Sequence, residues 1–326
     1  MGRRLFAVLS VALLAIGAGL YWLLSSHVVT PPLTGDFTRG LIRHDDKDRR
    51  YGVYQPQVQL APAPLIMVLH GSMGDGDEIR QQSQFGFDRL ADREGFVTVY
   101  PDGFESHWND CRKAADYSAR EQGVDDLGFL QTLVEKLVEE RRVDPGRVYL
   151  VGYSNGGHLA FRAAMETPHW MQGIAAIAAN LPARDNNACE HGDQPMATLL
   201  INGTEDPINP YEGGQVTLFG FGDRGDVLPS TATLAYFADP GPGPITPLDP
   251  DHLSRQQRGQ ALIERWQLPG KPLLELVTLQ GGGHTVPVAE GRMPRLLGTT
   301  SHDIDTAEQA WRFFRDARAA EAGTGP

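Results

Sequence analysis

The run Arg147-Val-Tyr-Leu-Val-Gly-Tyr-Ser-Asn-Gly-Gly-His-Leu-Ala160 constrains this chain more than any other. The apolar stretch Arg147–Val151 predicts a buried strand, and the small residues from His158 to Met165 predict a helix. Only a sharp turn, Gly152-Tyr153-Ser154-Asn155-Gly156, separates them. Glycine at both flanks lets strand and helix approach closely, and Ser154 is lifted above the sheet edge at the helix N-terminus. With 37 glycines in the chain, the pentapeptide alone means little; the strand before it and the helix after it give it weight. A hydroxyl held there becomes a nucleophile once a base removes its proton.

Ten histidines compete to be that base. His284 stands in Gly281-Gly-Gly-His284-Thr, a loop directly after the predicted strand Leu273–Leu279, and such a loop carries an imidazole over the nucleophile. His158 follows the turn, His70 precedes Gly71, and His302 lies in a polar turn; these three read as structural or surface residues. The imidazole needs a carboxylate to fix its tautomer and balance its charge. Asp206 follows the predicted strand Ala197–Ile201 in Asn202-Gly-Thr-Glu-Asp206-Pro207, with Glu205 as its competitor and Pro207 stiffening the turn. The order Ser154, Asp206, His284 is the one α/β-hydrolases use. A nucleophile of this kind also requires donors for a developing oxyanion. The backbone N–H groups of Asn155 and of Ser72, in His70-Gly71-Ser72, are the expected pair.

Around this constellation, Arg50–Gln59 predicts an edge strand with Pro56 at its rim. Pro64–Leu69 and Gly95–Tyr100 predict buried parallel strands, as does the stretch near Gly173–Ala179. Apolar spacing after Asp125-Asp126 predicts a helix, and Asp305-Thr-Ala-Glu308 opens a last one through Phe314. Strands alternating with helices imply a mostly parallel central sheet with helices on both faces. The segment 218–254, rich in Gly, Pro and Asp, is expected to be a loop or lid insertion beside the site.

The formal charge of −12 and the absence of a basic stripe argue against a nucleic-acid partner. No His/Asp/Glu cluster has metal-ligand spacing, so no metal site is expected and a metal-dependent hydrolase is the least favoured reading. Arg3-Arg4 before the apolar run Leu5–Leu24 predicts a signal peptide or an uncleaved signal anchor over 1–26, with membrane anchoring through 5–24. A linker over 27–38 and one catalytic domain over 39–320 follow, placed in the periplasm or outside the cell. The two cysteines, Cys111 and Cys189, are either one disulfide or two separate buried thiols; the exported reading favours the disulfide.

Five segments carry a family likeness: PLIMVLHGSMGDG (64–76), DDLGFL (125–130), RVYLVGYSNGGHLA (147–160), NGTEDPINPYEGG (202–214) and GGGHTVP (281–287). Together they resemble the polyhydroxybutyrate depolymerase-like esterases, close to the feruloyl and acetylxylan esterases of carbohydrate esterase family one. The resemblance covers roughly Arg50 to Phe314. It implies a cofactor-free α/β-hydrolase fold and a serine esterase acting through an acyl-enzyme. The implied substrates are polyhydroxyalkanoate oligomers or feruloyl or acetyl esters. The segment with Trp108-Asn109 matches the family's Trp-Asn segment and suggests an acyl-pocket wall, against the plainer reading of a packed loop aromatic. The same triad would serve an acyltransferase or a peptidase, and a non-catalytic hydrolase-like binding protein is the alternative from another class.

Overall fold

The structure, a computed structural model, describes residues 2–140 and 142–323, and for residues 2–9 and 11 it describes the backbone alone. Among the described residues, twelve strands form in chain order. They are β1 (Asp36–His44), β2 (Lys47–Gln55), β3 (Ala63–Leu69), β4 (Val97–Pro101), β5 (Val143–Tyr153) and β6 (Gly173–Ile177). Next come β7 (Thr198–Gly203), the short β8 (Gly214–Gln215) and β9 (Asp226–Val227), then β10 (Leu253–Arg258), β11 (Ala261–Trp266) and β12 (Leu274–Leu279). The helices are α1 (Gly2–Leu24), α2 (Gly76–Gln82), α3 (Gly86–Glu94), α4 (Ser118–Glu121), α5 (Asp126–Glu139), α6 (Asn155–Glu166), α7 (Ser230–Tyr236) and α8 (Thr306–Glu321).

Ten strands make one sheet in the order β1-β2-β4-β3-β5-β6-β7-β12-β11-β10. The middle run from β4 to β12 is parallel throughout, and an antiparallel hairpin extends it at each edge. Parallel strands put all their carboxyl ends at one rim, so every loop leaving them opens on the same side.

Alternation along each strand divides the core in two. Leu65, Met67 and Leu69 of β3 pack with α5, α6 and α7 on one face. Ile66 and Val68 pack with α3 and α8 on the other. The strands are therefore apolar on both sides, which is why they read as continuous hydrophobic runs. Asp305 caps α8, its carboxylate accepting from the N–H groups of Ala307 and Glu308.

Three features depart from the sequence reading. The expected edge strand lies second from the edge, covered by β1, which takes in part of the expected linker. The β10–β11 hairpin was not foreseen. Segment 218–254 is not a lid along its length. Only its start, with Leu218 and Arg224, borders the site, whereas α7 packs against β7 and β12 and buries Leu234 and Tyr236, with Phe237 buried just after it. Among the described residues no helix is long and apolar enough to cross a membrane. The span expected over 5–24 falls on α1, and the side chains of 5–9 and 11 lie outside the described residues.

Candidate active site

β5 runs directly into Ser154, whose φ of 52° and ψ of −117° lie in a sparsely populated region. Such a conformation costs a residue with a Cβ about 1–3 kcal/mol and persists only where the surroundings impose it. Here they do. The Ser154 N–H donates to Ile177 O at 2.8 Å, and Ser154 O accepts from the His158 N–H at 3.0 Å. A Cβ on Gly156 would lie 2.5 Å from Leu69 O, and one on Gly152 would collide with the Gly156 backbone, so the turn admits no side chain at either flank.

His284 reaches this serine from the loop after β12. Its Nε2 lies 2.9 Å from Ser154 Oγ, and its Nδ1 lies 2.7 Å from Asp206 Oδ2. The backbone on both sides of the ring is pinned: His284 N–H donates to Leu297 O at 2.7 Å, and His284 O accepts from Tyr153 OH at 2.8 Å. Asp206 is aimed by its own turn, because Oδ1 accepts the N–H groups of Ile208 and Asn209, each at 2.8 Å. With that carboxylate as acceptor, Nδ1 carries the proton and Nε2 is left to accept from the serine hydroxyl. The three residues singled out in the sequence therefore form one connected chain of hydrogen bonds.

The expected oxyanion donors are also adjacent. Asn155 is the first residue of α6, where backbone N–H groups have no carbonyl within the helix to bond. Ser72 follows Gly71, where an added Cβ would lie 3.3 Å from Ser154 Cβ.

Trp108 and Asn109 are placed differently from the reading as a pocket wall. Trp108 is fully buried, its indole N–H donating to His70 O at 2.9 Å and its backbone N–H to Asn155 Oδ1 at 2.8 Å. Asn109 donates through Nδ2 to Val124 O, and neither residue lines the cleft over Ser154. They brace the turn from behind. Asn155 completes the brace by donating to Asp110 Oδ2 at 2.7 Å. Burial alone would raise the Asp110 carboxyl, but the Arg112 guanidinium bonded to it holds it below its usual range. Cys111 and Cys189 are disulfide-bonded, tying this brace to the loop before β7.

The cleft over Ser154 has a volume of about 220 Å³. Sequence reasoning missed Arg112, Tyr117, Asn209 and Arg224 in its lining. Tyr117 lies 45 positions from Ser72 and 107 from Arg224, its hydrogen-bond partners, so no local pattern announces it. His158, read as structural, also borders the cleft; burial and the nearby Arg112 push its pKa well below the ordinary value, keeping the ring neutral.

Known proteins are similar to this chain over part of its length. Residues 50–180 match the family model described as Esterase PHB depolymerase. A protein called esterase NocK from Nocardia uniformis subsp. tsuyamanensis is 29% identical over 77% of this chain and 74% of its own length. A bifunctional acetylxylan esterase/xylanase of Neocallimastix patriciarum is 33% identical over 56% of this chain, a match spanning only 25% of that enzyme. The solved acetyl xylan esterase from Aspergillus awamori superposes with a TM-score of 0.55 at 12% identity, covering 85% of this chain and 99% of that one. That likeness shows the α/β-hydrolase fold.

Proposed function

We propose that this chain, whose residues 50–180 match the Esterase PHB depolymerase family model, hydrolyses carboxylic esters through an acyl-enzyme on Ser154. The observation that carries this reading is the unbroken relay from Asp206 through His284 to Ser154 Oγ, with both distances at hydrogen-bond length. As Ser154 Oγ attacks the ester carbonyl, its proton passes to His284 Nε2, and Asp206 steadies the imidazolium. The Asn155 and Ser72 backbone N–H groups take up the charge on the carbonyl oxygen. His284 then protonates the departing alcohol, and a water molecule, deprotonated by the same ring, cleaves the acyl-enzyme.

Hydroxyalkanoate oligomers and feruloyl or acetyl esters are the substrates this reading favours, supported by the family match and by relatives named acetylxylan esterase and feruloyl esterase. The cleft suits one small or oligomeric ester rather than a folded partner. Export is part of the same proposal. A basic pair ahead of an apolar run directs a chain across a membrane, and a disulfide persists in an oxidising compartment.

A hydrolysis panel of p-nitrophenyl acyl esters, hydroxybutyrate oligomers and methyl ferulate tests the proposal, with Ser154→Ala alongside. The variant should lose about 10⁴-fold or more in kcat on every substrate the wild type accepts. Full activity in Ser154→Ala would remove the nucleophile and the mechanism with it.

A further inference from the structure

Most of the cleft wall is apolar, from Met73, Ile208, Val216, Leu218 and Met293, but one end is not. There Ser72 Oγ lies 2.9 Å from the Tyr117 hydroxyl, and Arg224 Nε donates to the same hydroxyl at 2.7 Å. Arg112 Nη2 approaches it at 3.5 Å. Tyr117 Oη accepts from Arg224 and shares a hydrogen bond with Ser72 Oγ in which either hydroxyl can donate. A hydrogen-bonded chain thus runs from the oxyanion loop to Arg224.

The two arginines differ in what balances them. Arg112 is fully engaged by Asp110, with Nη2 at 2.5 Å from Oδ2. Arg224 forms no ion pair among the described residues; beyond Tyr117 its guanidinium donates to Gly222 O at 3.1 Å. Glu78 holds the opposite sign on the α2 wall and bonds Gln82 rather than either arginine. Two buried polar groups in the lining also lack partners among the described residues: both amide atoms of Asn209, and Nδ1 of His158. A purely apolar ester would leave these groups and the Arg224 charge without a counterpart, and unpaired buried polar groups are costly.

Resting on the ester-hydrolase reading above, we propose that the cleft selects esters carrying a free carboxylate a short chain away from the scissile carbonyl, with Arg224 as the specificity-determining residue. The guanidinium binds the carboxylate, and Tyr117 holds the guanidinium in register with Ser72. The half-exposed site keeps the attraction sensitive to salt.

Matched ester pairs test this. Mono-4-nitrophenyl glutarate against its methyl ester places the charge on the acyl side. Acetate release from 3-acetoxybutyrate against its amide places it on the alcohol side. The wild type should prefer the charged member of at least one pair by about tenfold in kcat/KM, carried mainly by KM and shrinking as salt is raised. The pair that responds shows on which side of the ester the carboxylate sits. Arg224→Gln should bring that ratio close to unity, and Arg224→Lys should leave it intermediate. As a ratio on one preparation, the readout does not depend on how much variant folds. A wild-type ratio near unity in both pairs, or an unchanged ratio in Arg224→Gln, overturns the inference. Neutral-ester hydrolysis that requires Ser154 but shows no charge preference overturns it too, while leaving the esterase reading in place.

Discussion

The His70 ring is buried beneath the turn that carries Ser72. Its Nδ1–H donates to Gly71 O at 2.7 Å, and its Nε2 accepts the Gly103 N–H at 2.8 Å. A second proton would sit on Nε2, facing that N–H with no acceptor. Burial therefore holds the ring neutral and pushes its pKa down to about 4 from an ordinary 6.5. Between those two values the unfolded chain binds a proton that the folded one refuses. The contribution to stability is complete above pH 6.5 and is lost as pH falls towards 4, about 3 kcal/mol in all. His158, buried and neutral, acts with the same sign. Urea unfolding followed from pH 7 to 4 should show a steeper loss in wild type than in His70→Gln, which has no ring to titrate. Equal slopes would show that other groups set the acid limit.

At the scale of elements, the crossing of β5 and α6 over β3 depends on Gly156. A Cβ there meets two backbone carbonyls, Leu69 O at 2.5 Å and His70 O at 2.6 Å, and backbone cannot swing aside as a side chain does. Gly156→Ala should destabilise by roughly 1–3 kcal/mol or more through overpacking. Gly146→Ala, beside only the Asp144 carboxylate, should stay within about 0.5 kcal/mol. Urea midpoints of the two variants make the comparison, and a tolerant Gly156 would mean that strand and helix separate cheaply. The same crossing explains why Ser154, Asp206 and His284 were legible in the sequence. Each follows a buried parallel strand whose apolar run is unmistakable, and parallel strands end at one rim. Trp108 was not legible as a brace, because whether an indole lines a pocket or fills a gap depends on Asn155, 47 positions away. The strand Leu253–Arg258 was missed because it is almost wholly exposed and polar, with no alternation to read. The helix Ser230–Tyr236 was missed because a short apolar segment between glycine- and proline-rich stretches resembles the loop around it.

Across the whole molecule, the rim of the sheet is rigid where strands end in it and depends on cross-links where long loops leave it. The loop after β4 supplies Asp110, Arg112 and Tyr117, which brace Ser154 from behind and close one end of the cleft. It meets the loop between β6 and β7 through Ala188 N–H to Cys111 O at 2.7 Å and Lys113 N–H to Asn186 O at 2.8 Å. The Cys111–Cys189 bond locks that meeting across a sequence separation of 78. On the chain-entropy account, a closed loop of this length is worth ~4–5 kcal/mol. The Cys111→Ser/Cys189→Ser double variant, which leaves no free thiol, should unfold at a clearly lower urea concentration than wild type under non-reducing conditions. Dithiothreitol should bring the wild type towards the variant and leave the variant unmoved. The cleft wall loosens with the loop that carries Arg112 and Tyr117, so KM on ester substrates should rise more than kcat falls. Coincident unfolding curves, or a kcat lost with KM unchanged, would mean that the backbone contacts between the two loops hold that wall without the bond.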